Sequence, residues 1–100
     1  MVPAHFDAEV YGVFRRLFRQ DLLERARFDL ITARLIAFAA ERIALPTLLP
    51  RAHRLADRIA APYSFYVALS ELMRARLLTA DAHLSSAATG IVEVQFVGAG

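Results

Sequence analysis

The stretch Tyr66–Leu84, YVALSELMRARLLTADAHL, decides the fold. Tyr66, Leu69 and Met73 recur at the i, i+3, i+7 spacing of one helix face, and Glu71, Arg74 and Arg76 fall elsewhere on its surface. Leu77-Leu78-Thr79 follows as a short apolar run, predicted to be a strand buried on both faces. Asp81 then falls just past the strand, in the crevice where an open α/β sheet places its chemistry. The same aspartate is suited to cap a helix over Ala82–Ala88, so a structural and a chemical role carry comparable weight.

Outward from this stretch the pattern alternates. Pro3–Phe6 leads in as a short extended segment, and Asp7 is the expected N-cap of a first helix whose apolar stripe is Val10, Phe14 and Leu17 with Tyr11 and Phe18. Asp21-Leu22-Leu23-Glu24 repeats the D-x-x-E start of a helix predicted to run to about Glu41, with Phe28, Ile31, Leu35 and Phe38 at helical spacing. Arg42–Leu45 is a strand candidate stopped by Pro46. Thr47 to Ala60 is expected as a third helix with Pro50 in its first turn, ended by Pro62 so that Tyr63 or Ser64 opens the next. A Thr89-Gly90 turn leads to a β-branched strand over Ile91–Val97, and Gly98–Gly100 are expected to be loose. Helices alternating with strands in this way predict an α/β fold with parallel strands.

Composition bounds the function. The 100 residues amount to about one domain. At 57% hydrophobic and a mean hydropathy of +0.39 the chain is apolar, yet its longest candidate run, Leu30–Ala40, is broken by Thr32 and Arg34, so a buried helix or subunit interface is expected and a membrane span is not. Met1-Val2-Pro3 has neither the basic start nor the apolar core of a signal peptide, and the expected location is cytoplasmic. The absence of cysteine excludes disulfides, thiolate metal sites and cysteine nucleophiles. A net charge of +2 is too small to argue nucleic-acid binding by itself. His5, His53 and His83 share no spacing and are read as surface residues. Ser64 with His83 and Asp81 is rejected as a triad, because no nucleophile elbow surrounds the serine.

YVALSE followed by LLTADAHL resembles the C-terminal half of PIN domains of the VapC toxin type, in which YDAxYVALAE precedes a spacer, LLTAD and a leucine-bearing helix. PAHFDAEVYGVFRRL is similar to an earlier block of that family: a proline, apolar residues, then a glutamate opening an arginine-bearing helix. The resemblance implies a short parallel sheet flanked by helices and an endoribonuclease dependent on Mg2+ or Mn2+. It also implies RNA as substrate, a cognate antitoxin as partner, and a homo-oligomer such as a dimer, away from membranes. Such a site needs several carboxylates converging on one divalent cation.

Of the family's four acids, the resemblance carries the second onto Glu9 and the fourth onto Asp81 as metal-binding and catalytic residues. The gapless match of PYSFYVALSE puts the third on Tyr63, a poor magnesium ligand. The first acid belongs to a strand preceding the proline block, central in the family's sheet. The expectation is therefore one PIN-like domain over 1–100 without that strand, and magnesium-dependent cleavage that is negligible in this form. Arg15, Arg16 and Arg19 are candidate RNA contacts or simply a solvated face. Two other readings stay open: a non-catalytic module for dimerisation or antitoxin binding, and a toxin-gene remnant or misassigned start.

Overall fold

A computed structural model describes residues 1–97, so the expectation for Gly98–Gly100 falls outside the described residues. The chain is mixed α/β, in the order β1 (Val2–Pro3), α1 (Phe6–Arg19), α2 (Arg25–Ile36), β2 (Arg42–Ile43), α3 (Leu45–His53), α4 (Ala61–Met73), β3 (Leu77–Thr79), α5 (Ala82–Ala88) and β4 (Val94–Phe96). It divides into two compact units, Met1–Arg42 and Ile43–Gly100. No helix of the described residues is long and apolar enough to cross a membrane.

In the first unit the chain ends are held by one polar knot. The Val2 N–H donates to Glu41 O at 2.9 Å, beside the pairing of β1 with β2. Arg42 grips Asp7 with both arms, Nη2 to Oδ1 at 2.8 Å and Nε to Oδ2 at 3.0 Å, while its Nη1 donates to the carbonyls of Phe38 and Ala40. Such planar two-bond pairing fixes geometry as well as charge. Aromatic contacts fill the space between helices: Phe18 stacks on Phe28 with centroids 5.1 Å apart, and Tyr11 tilts against Phe28 at 5.5 Å. Phe28 is buried, whereas α1 has no buried residue along its expected apolar stripe.

Several expected boundaries are corrected here. Asp7 is not a cap. His5 precedes the helix, and Asp7 sits in its first turn because Arg42 claims the carboxylate. Asp21 takes a left-handed turn (φ 57°) and does not open α2, which is preceded by Glu24 and stops at Ile36. Phe38 thus lies beyond the helix, where it stacks on Phe6 at 5.5 Å.

In the second unit, two prolines expected as stops, Pro46 of a strand and Pro62 of the third helix, instead open helices. Pro46 and Pro62 stand in the first turns of α3 and α4, where a missing N–H costs nothing. The expected strand shortens to Arg42–Ile43. α3 ends at His53 and not at Ala60, and Pro50 lies inside it and not in its first turn. Leu48, Ala52, Ala68 and Leu69 form one buried cluster between α3 and α4. Met73, expected on the packed face of α4, is 43% exposed, and the buried positions are Ser64 and Val67–Ser70.

α4 ends at Met73, and the left-handed φ of 51° at Arg74 lets the Ala75 N–H reach back to Ser70 O at 3.0 Å. The Ser70 hydroxyl donates to Ala75 O and ties the same corner. β3 then pairs in parallel with β4, Leu77 opposite Val94 and Thr79 opposite Phe96, as the alternating order predicts. Leu77 is buried with Leu55, Ile59, Val67, Leu84 and Ala88. Leu78 points the other way and is 66% exposed, so the strand is covered on one face and not on both. Arg76 brackets the register through Glu93 (3.2 Å) and Gln95 (2.9 Å). Gly90, at φ +91°, turns the chain in a backbone state unfavourable for other residues, and the strand expected over Ile91–Val97 shortens to Val94–Phe96.

Two outcomes follow. Leu48 is fully buried, so Leu48→Ala should cost about 2–5 kcal/mol in urea denaturation; a loss within ~0.5 kcal/mol, the level of a surface change, would show that this cluster does not hold α3 on α4. The hydrogen bonds from Arg42 hold the Asp7 carboxyl below the ordinary aspartate range, against a smaller opposing effect of burial. The folded unit therefore binds this proton less tightly than the unfolded chain does. The contribution is present above about pH 3.9 and is lost as pH falls through the lowered folded value. Urea midpoints of the wild type and Asp7→Asn should differ at neutral pH and converge in strong acid; a gap that persists there would remove the pair as its cause.

Candidate functional site

The short turn after α4 sends β3 back along the helix, so the start of α4 and the end of β3 lie at the same end of this αβ unit. Tyr63 is in the first turn of α4 and Asp81 is two residues past Thr79. Both line one cleft of about 170 Å3, together with Arg58, Ile59, Ala60, His83, Leu84 and Ala87. The two positions singled out in the second half of the chain are thus brought together.

Asp81 is fixed from both sides. Its N–H donates to Thr79 Oγ1 at 3.0 Å, and its Oδ1 accepts the Leu84 N–H at 3.0 Å. Its carbonyl accepts the Ser85 N–H at 2.9 Å, the first bond of α5. The capping role expected for Asp81 is therefore in place, and Thr79 contributes by shaping the turn that aims the aspartate. Tyr63 is 42% exposed at the cleft. Ser64, one residue on, is buried, and its hydroxyl donates to Ala61 O at 2.7 Å, an ordinary helix back-bond that leaves no nucleophile at the surface.

Sequence reasoning missed Arg58 and underrated His83. Arg58 lies in a segment expected as helix that forms turns after His53, and its Nη2 donates to Ala87 O on α5 at 3.3 Å. Nothing in the local pattern signals that reach. His83 is exposed and lines the cleft through its place in the first turn of α5.

Glu9 lies in the first turn of α1, 3.2 Å from His5 Nε2, and belongs to the first unit. Arg15, Arg16 and Arg19 are exposed on the same helix. Among the described residues no group of three or more His, Cys, Asp or Glu side chains could hold a metal ion. The cleft itself does not fit Mg2+ or Mn2+. It offers one carboxylate, with one oxygen already capping a helix, and a guanidinium in the same wall. Hard divalent cations call for more oxygen ligands than this.

Ribonuclease VapC12 of Mycobacterium tuberculosis, in strains CDC 1551 / Oshkosh and ATCC 25618 / H37Rv, is 27% identical to this chain over 95 residues, covering 95% of the chain and 74% of the relative. No protein-family model matches the chain, and no solved structure matches it.

The two roles of Asp81 are separable. Asp81→Ala removes the cap and should cost about 0.5–2 kcal/mol of stability, whereas Asp81→Asn keeps an acceptor for Leu84 and should cost much less. Equal thermal melting of both variants and the wild type would show that the cap carries no stability.

Proposed function

We propose that this chain is a ribonuclease of the VapC type, PIN-like in plan and the toxin component of a toxin–antitoxin pair, with weak or no metal-dependent cleavage in this form. The observation that carries the reading is the shared cleft of Tyr63 and Asp81, because the block match requires those two positions to meet. The similarity to a protein named as a ribonuclease, spread over 95 residues, supports it further.

On this reading Glu9 and Asp81 keep two of the plan's four acid positions, and Tyr63 replaces a third. Two carboxylates leave most of the coordination of Mg2+ or Mn2+ to water, so binding no tighter than millimolar is expected. Loss of metal ligands costs a hydrolytic site orders of magnitude in rate, because the activated water and the charge stabilisation go together. RNA is the proposed substrate class and a cognate antitoxin the proposed partner, with Arg15, Arg16 and Arg19 available along α1 for the RNA backbone.

A non-catalytic role in dimerisation or antitoxin binding is the second reading. It is favoured by the apolar side chains left outward on and before α2: Leu22 is 70%, Leu30 51% and Ile36 80% exposed. Surfaces of that kind mark interfaces.

Incubating the protein with a fluorogenic RNA and Mg2+ should give no cleavage above the Asp81→Ala background. Robust cleavage that disappears in Asp81→Ala, or a micromolar Mg2+ site by calorimetry that needs both Glu9 and Asp81, would overturn the weakened-site part of the reading. Tyr63→Asp places a second carboxylate beside Asp81, and repulsion should lower its melting temperature in EDTA, with recovery in Mg2+. A melting temperature indifferent to Mg2+ would mean that the two positions do not share a cation.

A further inference from the structure

We propose that the Asp81 cleft is a metal-independent binding site for one nucleotide of single-stranded RNA, with Arg58 and His83 on the phosphate and Tyr63 against the base. The inference rests on the ribonuclease reading for the polymer and on the lining of the cleft for the chemistry. Three of the four polar side chains that line it, Arg58, Tyr63 and His83, are donors suited to phosphate or flat surfaces suited to a base.

Arg58 is placed for this role. Its one side-chain hydrogen bond among the described residues, Nη2 to Ala87 O at 3.3 Å, anchors the guanidinium on the cleft wall and leaves most of its five N–H donors for a ligand. A planar fork of that kind matches phosphate geometry. Tyr63 presents a ring that is 42% exposed at the same opening. Stacking on such a ring tolerates any base, which suits a site without base-edge readout. The Asp81 carboxylate repels an anion, and the Arg58 guanidinium in the same wall offsets that repulsion; Oδ1 accepts the Leu84 N–H, and Oδ2 remains as an acceptor for a sugar hydroxyl or a base amino group. A volume of about 170 Å3 is below that of pockets that enclose a whole drug-sized ligand, so the cleft takes part of one nucleotide while the strand runs on outside.

The test is fluorescence anisotropy of a short fluorescein-labelled single-stranded RNA with the full chain, in EDTA and again in Mg2+. Binding should persist in EDTA. Arg58→Ala should weaken it about tenfold and flatten the slope of log affinity against log salt by ~0.7, the loss of one phosphate contact on a single strand. Tyr63→Ser should also weaken binding about tenfold, whereas Tyr63→Phe, which keeps the ring, should leave it near the wild type. Far-UV circular dichroism of each variant checks folding, and Arg58→Lys, which keeps the charge without the fork, should bind between the wild type and Arg58→Ala. Binding in EDTA that ignores Arg58 and Tyr63 would overturn this site and move RNA elsewhere on the protein. Binding that needs Mg2+ and disappears in Asp81→Asn would also overturn it, while supporting a metal-dependent nuclease. No RNA binding in either buffer would remove the ribonuclease reading together with the inference.

Discussion

Everything placed around Asp81 depends on the parallel pairing of Leu77–Thr79 with Val94–Phe96. A ladder of three residues per strand does not stand in water by its own hydrogen bonds. It stands because Leu77 is driven into a cluster with Val67 of α4 and Leu84 and Ala88 of α5, which clamps the strand from one face. The Leu77 N–H donates to Glu93 O at 2.8 Å, and the Val97 N–H donates to Thr79 O at 2.8 Å, so the ladder is pinned at both ends. With the end of β3 fixed, the Asp81 backbone has one direction to leave in, and α5 starts there.

That constraint explains which parts of the chain were legible. The aspartate after a short apolar run, followed by small helix-forming residues, announces a strand, a turn and a capped helix through local chemistry alone, and all three are present. Prolines were less readable because their fixed φ serves a helix start as well as a stop. Pro46 and Pro62 open α3 and α4, and only the packing of Leu48 and Val67 decides in favour of continuing. Asp7 carried a cap signal that a long-range partner overrode. The competitor, Arg42, is 35 residues away in sequence, and no local pattern reports it. The exposure of Leu78 was hidden for a similar reason, since periodicity shows that a strand is apolar but not how many of its faces find a cover.

The cleft follows the same division. Tyr63 and Asp81 could be placed together from a block resemblance, and the hairpin of α4 into β3 supplies the physical reason they meet. Arg58 could not, because the helix expected there gives way to turns after His53 and the side chain reaches the site through one bond to a helix carbonyl. Residues that enter a site by long side chains from irregular segments leave little trace in sequence spacing.

The electrostatic character of the cleft turns on which charged groups its walls carry. Where several carboxylates converge, each raises the cost of ionising the others, and only a bound cation offsets the repulsion. This cleft has a single carboxylate in its lining, Asp81, beside the Tyr63 ring and the Arg58 guanidinium. The site then balances without an ion: one carboxylate, partly neutralised by the α5 backbone it caps, against one guanidinium. A second carboxylate at position 63 would add repulsion that only a cation offsets, whereas tyrosine leaves Asp81 as the one carboxylate in the wall. The backbone plan is unchanged between these cases, since the turn, the cap and the parallel ladder do not involve the Tyr63 side chain. One side chain on α4 therefore sets how many carboxylates the cleft holds without altering the fold of this unit.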